Sequence, residues 1–130
     1  MTGITYTYFL YVYNIIKEFI GGMNMNGIMK NIEFSKVLNL GDLVTYQEGQ
    51  VVSRTLAQIP TANITLFSLD AGEGISTHKT SGDAMVQILD GEAEITIGEE
   101  VFTVKAGESI IMPSDVPHGL EARKRFKMLL

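Results

Sequence analysis

Short alternating runs of apolar and polar residues, separated by glycine-containing pairs, predict an all-β fold. From residue 51 onward, Ala71-Gly72, Asp90-Gly91, Ile97-Gly98 and Ala106-Gly107 punctuate the chain. Turn signals about 8–12 residues apart are the pattern of a sandwich or barrel. No helical period follows residue 45. The only two histidines, His78 and His118, fall inside this β-rich region.

The first 22 residues differ from the rest. Residues 1–16 carry no charge and are rich in tyrosine (Tyr6, Tyr8, Tyr11, Tyr13). Residues 11–20 read as a short helix with Val12, Ile15, Ile16 and Phe19 on one side, stopped by Gly21-Gly22. The uncharged run is shorter than the roughly 20 residues needed to cross a bilayer. No basic residue precedes it and no small-residue cleavage site follows, so a secretory signal does not fit and the chain reads as cytoplasmic. Met23, Met25 and Met29 come next, which leaves two readings: a docking helix, or an upstream extension of the reading frame.

The strands follow in order. Residues 32–37 read as an edge strand and Leu40-Gly41-Asp42 as a turn. Residues 51–58 are β-branched and end before Pro60. Further strands are expected at 64–69, 75–79, 84–89, 93–97, 101–105 and 109–112, and across 120–130. Asp90-Gly91 lies between two alternating runs and predicts a hairpin. In the last strand Phe126, Met128 and Leu130 alternate with Arg125 and Lys127, so the basic cluster at 123–127 reads as a solvated cationic face.

Composition narrows the function. With 130 residues, 45% of them hydrophobic, the chain can bury one core without staples. It has no cysteine, which removes disulfides, thiolate metal sites and a cysteine nucleophile together. A net charge of −5 argues against nucleic acid as a partner. Ser76, Ser81 and Ser109 lack a nucleophile motif, and Gly72-Glu73-Gly74 is not followed by the helix that a phosphate loop needs.

Two spacings stand out. Gly72, His78, Thr80, Ala84 and Gly91 form one; Gly107, Pro113, Asp115, His118 and Ala122 form the other. Across residues 49–130 these resemble the two motifs of the cupins, the double-stranded β-helix or jelly-roll barrel. The resemblance implies residues 29–130 as the barrel and 1–28 as an N-terminal extension with the short helix. In metal-binding cupins the motifs supply three histidines and a glutamate to one divalent ion. Here His78 and His118 match, whereas Thr80 replaces a histidine and Ala84 the glutamate.

Three readings of His78 and His118 stay open: hydrogen-bonded residues lining a barrel mouth, a small-molecule pocket, or a metal site completed by water or substrate. Small-molecule binding is the expected function, with His78, Thr80, Met112 and His118 as ligand-binding residues. The alternative is a metal-dependent dioxygenase, isomerase or epimerase, in which His78 and His118 hold zinc, iron, nickel or manganese. Thr80 is expected on the His78 face of the strand. Asp83 and Asp115 read as a residue on the opposite face and a turn residue. If Ala84, Val86 and Ile88 point inward, then Met85 and Leu89 point out and need a cover, from residues 1–40 or from a second copy, so a homodimer is expected.

Overall fold

Glycines that take positive φ set the corners of this chain, and the strands run between them. The computed structural model describes residues 27–130, together with Tyr11, Val12 and Ile15. Those three are helical and exposed; the rest of the expected helix, and the methionines at 23 and 25, lie outside the described residues. The strands are β1 (Val51–Ile59), β2 (Ala62–Leu69), β3 (Gly74–His78), β4 (Ala84–Ile97), β5 (Glu100–Lys105), β6 (Ser109–Met112), β7 (His118–Glu121) and β8 (Phe126–Leu129). All pairings between them are antiparallel. The expected all-β barrel is the fold observed.

One sheet has the order β1-β2-β8-β4-β6, the other β3-β7-β4-β5. The long strand β4 belongs to both. Its first arm pairs with β6 through Ala84–Gln87 and with β8 through Gln87–Gly91; its second arm, from Glu92, pairs with β5 and β7. This corrects the expected hairpin at Asp90-Gly91. The two arms never pair with each other, because Asp90 and Gly91 are themselves paired to Lys127 and Phe126. The register slips between Ile88 and Asp90, and Gly91 takes φ +73°. Bulge and glycine together make a corner that carries the chain from one sheet to the other. Asp-Gly announces only that positive φ is tolerated. The true two-residue hairpin is Gly98-Glu99, where Ile97 faces Glu100.

The expected edge strand at 32–37 is also absent. Asn31 and Ser35 take φ 59° and 55°, which breaks an extended run. The segment is instead a strap across β1 and β2. Met29 bridges to Ala57, the Asn31 amide donates to the Thr55 carbonyl at 2.8 Å, and a 3-10 turn, Leu40–Leu43, is capped by Asn39.

Apolar contacts form two layers. Leu69, Val86, Ile88, Ile95, Met112, Leu120, Phe126 and Met128 fill the space between the sheets. Outside the first sheet, Val44, Leu56 and Leu66 are buried with Met29, Ile32, Leu40 and Leu43 of the strap, and Leu89 packs among them. Leu89 is therefore covered by its own chain, whereas Met85 remains 54% exposed opposite Ile111, 52% exposed.

The strap is also pinned by charge. The Lys127 ammonium donates to the Gly41 carbonyl at 2.6 Å, and the Arg125 guanidinium stacks 4.5 Å from the Tyr46 ring centre. Lys127 is thus half-buried and engaged, not part of a solvated face. Arg123 and Lys124 pair on the surface with Glu94 and Glu92. Tyr46 donates to Asp90, and burial first, then Asp90, pushes its phenol above the ordinary range.

The corner gives a direct test. Gly91 and Gly107 both have positive φ, but a Cβ at Gly91 would strike the Arg125 carbonyl, whereas one at Gly107 meets nothing within 4 Å. Gly107→Ala should cost about 1–2 kcal/mol in urea unfolding. Gly91→Ala should cost about 3 kcal/mol or more. Equal losses would contradict the corner.

Candidate functional site

Three loops meet at one end of the barrel. The Asp115 amide donates to the Thr80 carbonyl at 2.8 Å, the Ser114 amide to the Asp83 carboxylate at 2.8 Å, and the Gly98 amide to the Pro117 carbonyl at 2.8 Å. The ends of β3, β6 and the second arm of β4, and the starts of β7 and of β4, are thereby gathered at one mouth. His78 closes β3 and His118 opens β7, so the topology brings them to it.

The register makes them a pair. His78 lies opposite His118, which lies opposite Ile97 on its other side. His118 is 2% exposed and shares its face with buried Leu120, which is the inner face; His78 is exposed. Ile75, three residues before His78, also packs on the core. Strict alternation would put Ile75 and His78 on opposite faces. One extra residue between them, a bulge against β7, returns His78 to the inner face. The ring centroids are 4.6 Å apart with planes at 64°.

Each imidazole is held by a backbone carbonyl two residues upstream. Nδ1 of His78 is 2.9 Å from the Ser76 oxygen, and Nδ1 of His118 is 3.0 Å from the Val116 oxygen. A carbonyl only accepts, so in the neutral rings the hydrogen sits on Nδ1 and the lone pair on Nε2. Neither Nε2 bonds to a described side chain or backbone group. The pair thus offers two fixed acceptors or ligating nitrogens side by side.

The other expected site residues lie elsewhere around the mouth. β3 ends at His78, so Thr80 sits in a loop rather than on the histidine face of a strand; its hydroxyl donates to the Gly82 carbonyl at 2.9 Å. Ala84 opens β4 facing inward, opposite Met112, which is 1% exposed and part of the core. Thr80 and Ala84 line an open cleft of about 700 Å³ with Thr65, Phe67 and Leu130; His78 and His118 do not. Asp83 and Asp115 serve as loop residues, Asp83 through its bond to Ser114 and Asp115 through φ 60°.

A family model described as "Cupin domain" matches residues 65–130. The chain belongs to the cupins. Among solved structures, a conserved protein of unknown function from Streptococcus pyogenes is 47% identical, over 82% of this chain and 93% of that one, with a TM-score of 0.79. A cupin superfamily protein from Desulfitobacterium hafniense DCB-2 is 34% identical, over 79% and 94%, with a TM-score of 0.76. A Cupin 2 conserved barrel domain protein from Leptotrichia buccalis is 43% identical over 71% of this chain and 45% of that one, with a TM-score of 0.69. No curated protein matches.

In this cupin the donors do not fit a resident metal ion. Two imidazoles are short of the three or four protein ligands a stable divalent site takes. Thr80 has committed its hydrogen, Ala84 has no donor atom, and the described residues contain no cluster of three metal-binding side chains. Asp115, where the motif has glycine, explains itself: aspartate tolerates the left-handed φ that position requires.

Gly119 is the position sequence reading missed. A Cβ there would lie 3.0 Å from the Thr77 hydroxyl and 3.2 Å from the Ile75 carbonyl, so glycine lets the bulged β3 approach β7 without either strand giving way. A glycine inside a strand, next to a candidate histidine, was the available signal. Gly119→Ala should push β3 outward and cost about 1–3 kcal/mol. In a folded variant, nuclear Overhauser contacts between the two histidine rings should weaken. Unchanged contacts would show that Gly119 does not position His78.

Proposed function

We propose that this cupin binds a small organic molecule at its barrel mouth, with His78 and His118 presenting Nε2 to it and Thr80 on the rim. The observation that carries this reading is the histidine pair itself. Two polar rings stand at the edge of an otherwise apolar interior, each with Nδ1 satisfied by its own backbone. A concave, largely apolar space with a few fixed polar atoms is what small-molecule sites are built from. A neutral Nε2 accepts a hydrogen bond from a ligand hydroxyl or amide, or takes its proton. Met112 belongs to the floor, packed beneath Ala84. As part of the same proposal the protein is cytoplasmic.

A second reading has one observation in its favour. Histidines that hold metals commonly donate their other ring nitrogen to a carbonyl, as both do here. A zinc, iron, nickel or manganese ion would find two ligands and would leave the remaining positions to water or substrate, as in a metal-dependent dioxygenase, isomerase or epimerase. The short donor set favours the first reading.

Two measurements separate them. In a panel of small organic molecules, binders should shift the ring resonances of both histidines, and His78→Ala should weaken binding tenfold or more. Metal analysis of untagged protein should give well below one equivalent. One equivalent that disappears in His78→Ala would replace the first reading by the second. Binders that leave both rings unmoved would overturn it.

The exposed Met85–Ile111 pair is the face we propose for contact between two copies. Met85→Lys should then sediment as a monomer where the parent is a dimer. A parent that is monomeric at every concentration excludes that contact.

A further inference from the structure

The side of the mouth away from the histidine pair has a chemical character of its own. The cleft of about 700 Å³ lies between the β1–β2 turn and the loop at 79–83, with Leu129 and Leu130 in its lining. Phe67, Ala84 and Leu130 join it to the core between the sheets. All but one of its polar side chains are neutral, Asn63, Thr65 and Thr80 among them. No lysine or arginine lines it. Its one charged side chain is a carboxylate, Asp83, with an oxygen already taken by the Ser114 amide.

That lining decides which ligands can enter at low cost. An organic carboxylate or phosphate gives up strong hydration on entering such a cleft. Recognition of those groups draws on arginine or lysine, or on the amides of a helix N-terminus. None of these lines the cleft, and Asp83 together with the net charge of −5 repels an anion further. An apolar body, by contrast, gains from Phe67, Ala84 and Leu130, while a hydroxyl or amide finds neutral partners at the threonine and asparagine side chains. We propose that this cleft receives an uncharged organic molecule with an apolar body and a hydroxyl or amide end, and that it discriminates against organic anions. The inference rests on the small-molecule reading above and adds the class of the ligand.

Hexanamide and hexanoate, nearly equal in shape and different in charge, are suitable probes. In the parent protein hexanamide should move the resonances of Thr65, Ala84 and Leu130, and should bind at least tenfold more tightly than hexanoate. Gln58 is exposed on β1 and lines the cleft without being one of the groups offered to the amide, so Gln58→Lys leaves the core intact while adding a positive charge to the lining. This variant should raise hexanoate affinity tenfold or more and leave hexanamide nearly unchanged. Hexanoate binding as tightly as hexanamide in the parent would overturn the charge assignment alone. If neither probe moves the cleft resonances while other molecules shift the histidine rings, the cleft is not the ligand site and this inference fails, although the functional reading stands. If nothing moves either set, both fail.

Discussion

A single strand shared by two sheets is the constraint on which the barrel depends. Run straight, the 14 residues of β4 would span roughly 45 Å. Yet the loops at its two ends both bond to residues 113–117, Thr80 with Asp115 and Gly98 with Pro117. The strand must therefore turn back midway, and it does so where Leu89 slips out of register and Gly91 takes positive φ against the Arg125 backbone. At the far end, Ala106 bonds to Gly91 and Gly72 to Ala122, which closes the barrel opposite the mouth. Remove the corner, and Ala84 and Ile97 no longer reach the same end.

The site is a consequence of that closure plus one local irregularity. β7 delivers His118 to the inner face by simple alternation. β3 would deliver His78 to the wrong face without its bulge, and the bulge packs closely on β7 where Gly119 has no side chain. The carbonyls of Ser76 and Val116 then fix which ring nitrogen is protonated. The mouth is thus assembled from two unlike walls, a pair of imidazoles on one sheet and, on the other, a partly apolar cleft whose one charged side chain is Asp83. Two imidazoles without a carboxylate suit a ligand's hydrogen bonds better than a metal's coordination sphere.

Much of the fold was legible because period-two patterning survives in the strands that face the core. Residues 109–112 and 51–58 were found nearly to the residue, and the turns at Gly72, Gly98 and Gly107 take the positive φ that their glycines announced. What failed was information the pattern does not carry. Asp90-Gly91 says that a left-handed residue is tolerated, not which strands pair on either side. The apolar residues at 32–37 look like a strand but pack as a strap, since Asn31 and Ser35 leave the extended region. Spacing placed Thr80 beside His78, but β3 stops two residues short of it. The cleft draws on Thr65, Ala84 and Leu130, which are distant in the chain and adjacent only after closure.

The protonation state of the two imidazoles tests the account most directly. Long-range nitrogen–proton correlation spectra of the neutral rings distinguish a protonated from an unprotonated nitrogen in each histidine. The account predicts hydrogen on Nδ1 and a bare Nε2 in both His78 and His118. Hydrogen on Nε2 in either ring would remove the paired free nitrogens on which the site is built and would contradict it.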